Sequence, residues 1–206
     1  MVSKLDTAWD LFLEGKTSEA KKLVEQDFSI DTCTDFSLLN LMGYLLLAEK
    51  DYASCTSIFE KYILLAQQNE DKENEHIGLH QLAMIYREQG DFHKALKLIE
   101  DEEEIVEEHF PNDNLKKAVN NYEQGYVRFK LNNLDEALTF MNLSLEQSLE
   151  TDDVISQACS YRGLGEIYLA MEDTELSNRH FKRAIELFES VGEFEGIKEI
   201  EELINR

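Results

Sequence analysis

His76 and His80 stand four residues apart with Glu73 just ahead of them, and on a helix this spacing gathers two imidazoles and a carboxylate on one face, the donor types of a divalent-metal site. The pattern goes no further. The stretch does not read HExxH and no cysteine lies nearby, so the sequence implies no metal site and no cofactor. His93, His109 and His180 have no nucleophile at motif spacing. GxSxG, GxxxxGK(S/T) and GxGxxG are all missing, which leaves nucleophilic catalysis and phosphate cradling without a footing; the chain is expected not to be an enzyme. The densest charge is EDEEEIVEEHF, residues 100–110, with seven acids around Ile105 and Val106. It reads as the solvated back of a long helix, has no glycine turn to close an oxygen cage around calcium, and stands open as a contact for a basic partner.

These side chains need elements to hold them. A single proline, Pro111, and nine glycines leave long stretches dominated by Leu, Ala, Glu, Lys and Gln, a helical composition. Leu79, Leu82, Ala83 and Tyr86, then Phe92, Ala95, Leu96 and Ile99, follow the spacing of a buried helical stripe, and no segment sustains an alternation of two, so no sheet is expected. At 206 residues and 43% hydrophobic content the chain can bury a sizeable core. Its 43 acidic and 20 basic residues give a formal charge of −23, which opposes binding to nucleic acid or anionic lipid. The longest apolar stretch, Phe36 to Ala48, is too short to span a bilayer. Asp6, Asp10 and Glu14 interrupt the N-terminal apolar run, so no signal peptide is read there and a cytoplasmic location is expected. Cys33, Cys55 and Cys159, odd in number and without paired spacing, are expected to be reduced and mostly buried.

One unit recurs along the chain. Small residues near the start of every second helix, Ala20, Cys55, Ala95, Ala137 and Ser177, are separated by 35, 40, 42 and 40 residues. Twelve residues before the last four stand Gly43, Ala83, Gly125 and Gly165, which would let paired helices approach closely. Between each pair lies a turn sequence, EGKTSEA, EKDYASC, QGDFHKA, LNNLDEA or MEDTELS, in which a left-handed cap residue precedes a helix start. Four residues beyond the small position come Val24, Phe59, Ile99, Met141 and Phe181, expected to fill the space between neighbouring hairpins.

This pattern resembles the tetratricopeptide repeat, a helix-turn-helix unit with a small residue and an aromatic on its first helix and A-x3-F on its second. The fullest match is the fifth repeat, with Tyr161, Leu164, Gly165, Tyr168, Phe181 and Ala184, although Ser177 replaces the usual alanine. The third carries Leu79, Leu82, Ala83, Tyr86, Gly90, Asp91 and Ala95. Arg128 stands where the family prefers tyrosine, Tyr62 where it prefers a second alanine, and the first repeat matches only around Gly15 and Ala20. The resemblance implies an all-α fold, a right-handed superhelical stack of about five antiparallel helix hairpins. Their approximate spans are 3–30, 35–67, 73–109, 113–149 and 153–190, with a C-terminal capping helix at 193–205, in a single repeat domain covering 1–206. Steps near 40 rather than the usual 34 imply longer helices, as in kinesin light chains, cell-polarity adaptors and the peptide-sensing proteins of Gram-positive bacteria.

In such proteins the first helix of each hairpin lines a concave groove. Offsets of −3, +1 and +4 from the small residue select Asn40, Tyr44, His80, Met84, Arg87, Tyr122, Tyr126, Phe129, Arg162 and Glu166, together with Leu47 and Leu169. The first ten are the expected contacts to a protein or extended peptide, basic ones included, through amide and carboxylate hydrogen bonds and aromatic faces. A plainer reading pairs Arg87 and Arg162 with Glu88 and Glu166 on a solvated surface, and no complete carboxylate clamp is matched. In the first hairpin the same offsets fall on Leu5, Trp9 and Phe12. In register, Trp9 and Phe12 make an N-terminal patch able to join two copies as a homodimer; the irregular 35-residue step favours a shifted repeat with Trp9 in the core. The implied function is a non-enzymatic protein- or peptide-binding module that contacts neither nucleic acid nor membrane directly. Beside it stand a peptide-responsive regulator acting through a separate effector chain, and a self-associating scaffold.

Overall fold

Aspartates decide where most of the helices start. In the computed structural model, which describes residues 3–205, the carboxylates of Asp35, Asp51, Asp71, Asp113, Asp153 and Asp173 each accept a hydrogen bond from the backbone N–H three residues on. Ser3 and Asp6 form a reciprocal capping box at the N-terminus. A cap of this kind contributes about 1 kcal/mol to its helix. The helices in chain order are α1 (Lys4–Leu13), α2 (Thr17–Val24), α3 (Phe36–Ala48), α4 (Tyr52–Gln68), α5 (Lys72–Glu88), α6 (Phe92–His109), α7 (Asn114–Lys130), α8 (Leu134–Leu149), α9 (Val154–Ala170), α10 (Thr174–Val191) and α11 (Phe194–Ile204), with a 3-10 turn at Glu25–Asp27. No strand occurs among the described residues, and the fold is all-α. Helices α4 to α10 run 16–18 residues, which absorbs the extra length of the repeats.

One turn geometry joins the two helices of every hairpin. Gly15, Lys50, Gly90, Asn132 and Glu172 all take positive φ, between 59° and 77°, and each stands five residues ahead of the small position of its second helix. The N–H of the residue that follows closes back onto the carbonyl five positions earlier: Lys16 on Leu11, Asp51 on Leu46, Asp91 on Tyr86, Asn133 on Arg128 and Asp173 on Tyr168, at 2.8–3.0 Å. Gly15 and Gly90 reach this left-handed conformation without a Cβ to hinder them, whereas Lys50 and Glu172 hold it at a cost of about 1–2 kcal/mol.

The structure divides into two compact units, one ending at Asp91 and one beginning at Phe92. In the first, α3 packs on α4 through a notch at Gly43, where any Cβ would overlap the Phe59 ring. Leu39, Leu41, Leu45, Ile58 and Phe59 are almost wholly buried, so this interior is aliphatic and aromatic. Tyr62 is also buried; its ring meets Phe36 at 4.8 Å, its hydroxyl donates to Asn74 Oδ1, and burial pushes its pKa up to about 12. The first hairpin is in register. Ala8 and Ala20 are both fully buried, twelve residues apart, and α1 packs on α2. The expected shift is therefore corrected: the short 35-residue step reflects α2 and α3 of only eight and thirteen residues, not a slipped pairing.

In the second unit the same notches recur at Gly125 against Met141 and at Gly165 against Phe181. The large residues thus seat first against the glycine of their own hairpin rather than only between hairpins. Met141 does both, because its side chain also fills the space above Gly163 of α9. Ser177 donates to the Gly165 carbonyl at 2.9 Å and Cys55, in the first unit, to the Gly43 carbonyl at 3.2 Å. A small polar residue in place of alanine thereby ties its helix to the notch. Helix α11 closes this unit, with Ile200 fully buried and Gly196 set against Phe188.

The second unit also buries polarity. Along one face of α7, Asn120 donates to the Ile99 carbonyl, Gln124 to Asn120 Oδ1 at 3.1 Å, and Arg128 to Gln124 Oε1 at 2.6 Å. Arg128 then reaches Glu100 of α6 at 3.1 Å and Glu136 of α8 at 3.2 Å, with its guanidinium 4.1 Å from the centre of the Phe140 ring. The acidic run of α6 is accordingly not a uniform solvated back: Glu100 pairs inward, Glu102 is buried, and Glu104, Glu107 and Glu108 face solvent.

Candidate functional site

In the first unit the residues expected to line a groove sit on α3 and α5. Tyr44 stacks on Phe12 with ring centroids 5.8 Å apart and meets the Trp9 edge at 5.9 Å, while Trp9 donates its indole N–H to Ser37 Oγ. Trp9 is half-buried against α3, neither in the core nor on an open end. Burial raises the Tyr44 pKa, offset in part by a hydrogen bond with Gln81. Asn40 is half-buried with its Oδ1 shielded from solvent and without a hydrogen-bond partner. His80, Met84 and Arg87 are half-buried on α5, with Arg87 3.7 Å from Glu88.

The second unit gathers its residues more tightly. Tyr122 and Tyr126, one turn apart on α7, stack at 6.2 Å. Lys130 lies over both the Tyr126 and Phe129 rings, at 4.8 and 5.1 Å. From α9, Arg162 donates to the Tyr122 hydroxyl at 2.8 Å, lies 3.7 Å from Glu166 and also pairs with Glu199 of α11. Only 17% of the Arg162 side chain is exposed, so it is a packed and bonded group rather than one balanced on a solvated surface. Burial raises the pKa of Glu166, opposed by Arg162 and Lys130, and desolvation also raises that of Cys159. Beside this strip, Leu115, Val119, Tyr122, Ile155 and Cys159 line an apolar groove of about 380 Å³ between α7 and α9, rimmed by Glu123 and Asp153. Sequence reasoning found the strip and missed the groove: apart from Tyr122, its apolar lining lies on the first-helix turns ahead of the chosen offsets. Exposed Leu115 and Ile155 at matching helix starts were the available signal.

Neither histidine pair nor acidic run assembles donors. His76 is buried 3.7 Å from Glu73, and no three His, Cys, Asp or Glu side chains among the described residues converge as metal ligands would. No helix among the described residues is long and apolar enough to cross a membrane.

Paired helices, five equivalent turns and small-against-large notches together define a helical-repeat protein, and the chain belongs to the tetratricopeptide repeat family, whose model matches residues 34–108 and 114–190. Several solved structures share the fold. A kinesin light chain of Podosopora anserina with nearly identical TPR-like repeats, described as putative in its own structure, is 14% identical at a TM-score of 0.69, with 91% of this chain and 94% of that one covered. BtubC (BKLC) from P. vanneervenii is 17% identical at a TM-score of 0.67, covering 98% and 91%. MamA from Desulfovibrio magneticus RS-1 is 18% identical at a TM-score of 0.61, covering 91% and 94%. No curated protein matches the chain in sequence. Members of this family are protein–protein interaction modules, and that is the class to which this chain is assigned.

Proposed function

We propose that the chain is a non-enzymatic adaptor, a single repeat domain over residues 1–206, that holds an extended segment of a partner protein on the faces of its first helices. The observation that carries this reading is the strip on α7 and α9. Stacked Tyr122 and Tyr126, Phe129, Lys130, Arg162 and Glu166 stand in fixed positions beside an apolar groove, so binding there orders few side chains anew. Asn40, Tyr44, His80, Met84 and Arg87 are the corresponding candidates on α3 and α5. A basic or neutral segment suits the −23 charge better than an acidic one. Three free cysteines fit a reducing compartment, and we place the protein in the cytoplasm.

The test is selection of binding peptides from a randomised library, followed by calorimetric titration of the tightest one into wild type and into Tyr126→Ala and Phe129→Ala. Under the proposal either variant weakens binding at least tenfold while keeping native helicity. Unchanged affinity in both moves the binding surface off these helices.

A second reading has its own observation. Leu13 is 77% exposed at the end of α1, next to Phe12 in sequence and one helical turn from Trp9, whose rings pack together, an apolar corner suited to self-association. Sedimentation equilibrium of wild type and Leu13→Glu decides it: a dimer that the substitution abolishes supports a homodimer, and a wild-type monomer removes it.

A further inference from the structure

Arg179, Lys182 and Arg183 fall at i, i+3 and i+4 on α10, and all three are exposed on one face of that helix. With Tyr161 of α9, His180 and Glu186 they line a cleft of about 320 Å³. Like charges at this spacing repel, and the chain has 43 acidic residues with which to neutralise 20 basic ones. Yet only Arg183 is neutralised here, by Glu186 at 3.0 Å. Arg179 and Lys182 form no ion pair or hydrogen bond with any described residue. His180 adds to the cleft. Its ring stacks on Tyr168 at 5.3 Å and leans on Tyr161 at 5.9 Å, and its Nδ1 is buried without a hydrogen-bond partner. An orphaned lone pair costs less than an orphaned N–H, so the neutral ring carries its proton on Nε2 and offers one further donor.

We infer that this cleft binds a phosphoryl group carried on a side chain of a partner protein within an otherwise basic segment. A phosphoryl dianion presents three strong acceptors, which matches the Arg179 fork and the Lys182 ammonium, with Arg183 beside them held by Glu186, better than a single carboxylate does. The overall charge of −23 works against a polyanion such as nucleic acid, and against free phosphate that has nothing else to hold it. A phosphorylated segment with flanking lysines avoids that repulsion, because its flanks are drawn to the acidic surface while the phosphoryl group meets this basic cleft. Its charged groups lie on a second helix, with only Tyr161 from α9, and none of its lining belongs to the first-helix strip, so either can fail without the other.

The experiment is an NMR titration of the 15N-labelled full chain with Lys-Lys-phosphoSer-Lys-Lys, with the same peptide unphosphorylated or carrying aspartate, and with inorganic phosphate, at one ionic strength. The phosphopeptide is expected to shift the His180 ring and Arg179 Nε–H signals saturably, and to bind at least tenfold tighter than the unphosphorylated and aspartate peptides and inorganic phosphate. Arg179→Gln with Lys182→Gln, both exposed and so neutral to the fold, should weaken it at least tenfold. Equal binding of the aspartate peptide overturns the phosphoryl assignment. Inorganic phosphate binding as tightly as the phosphopeptide overturns the side-chain source. No saturable shift, or no loss in the variant, overturns the site.

Discussion

The α3–α4 hairpin and the α7–α8 hairpin are built on one plan and filled in opposite ways. Both have a glycine notch on the first helix and a bulky residue sixteen positions on, Phe59 over Gly43 and Met141 against Gly125. Around the notch, α3 and α4 bury leucine, isoleucine and phenylalanine, whereas α7 buries Asn120, Gln124 and Arg128 in a hydrogen-bonded ladder. The first interior stabilises by area removed from water and tolerates any partner of suitable shape. The second is satisfied only when every donor meets its own acceptor. The repeat thus prescribes backbone geometry and leaves the chemistry of its interior free.

Breaking each interior should separate the two. Phe59→Ala empties the notch over Gly43 and is expected to cost about 3–5 kcal/mol, read as a loss of urea midpoint with unchanged slope. Arg128→Ala strips Gln124 of its partner and uncovers Phe140. Because Glu100 and Glu136 are partly exposed, their share is discounted, and the loss is expected at about 2 kcal/mol in the same assay. The double variant Gln124→Leu with Arg128→Met should recover most of that, since apolar side chains of similar volume can replace a buried polar network. Failure to recover would mean that Asn120 alone keeps the ladder indispensable. The smallest effect belongs to the turns. Lys50→Gly in the apolar hairpin and Glu172→Gly in α9–α10 relieve positive φ and should each raise stability by about 0.5–1 kcal/mol, while Gly90→Ala loses a similar amount.

The turns were legible because they are local. A left-handed residue followed by a helix starter is written within seven positions, and Gly15, Gly90 and Asn132 announce it by type. Small residues twelve apart were legible for the same reason, and Ala8 obeys the rule although the irregular step to the next repeat obscured it. Arg128 looked like a departure from the family pattern. Its meaning needed Glu100, 28 positions upstream, and no periodicity joins the two. The candidate strip fared likewise: helical spacing put Tyr122 and Tyr126 on one face, but the bond from Arg162 to Tyr122 spans 40 residues and the Glu199 contact 37.

The Arg128 ladder also bears on how such a protein can change over generations. Repeat arrays grow by duplicating and shuffling units that contact only their neighbours. The hairpin of α7 and α8 carries a guanidinium shared between its own Glu136 and Glu100 of the α6 helix before it, so this unit is fitted to its address in the array. Copied elsewhere without a matching glutamate ahead of it, it would leave Glu136 alone to answer that charge; α3–α4, whose interior buries no charged side chain, brings none to be answered.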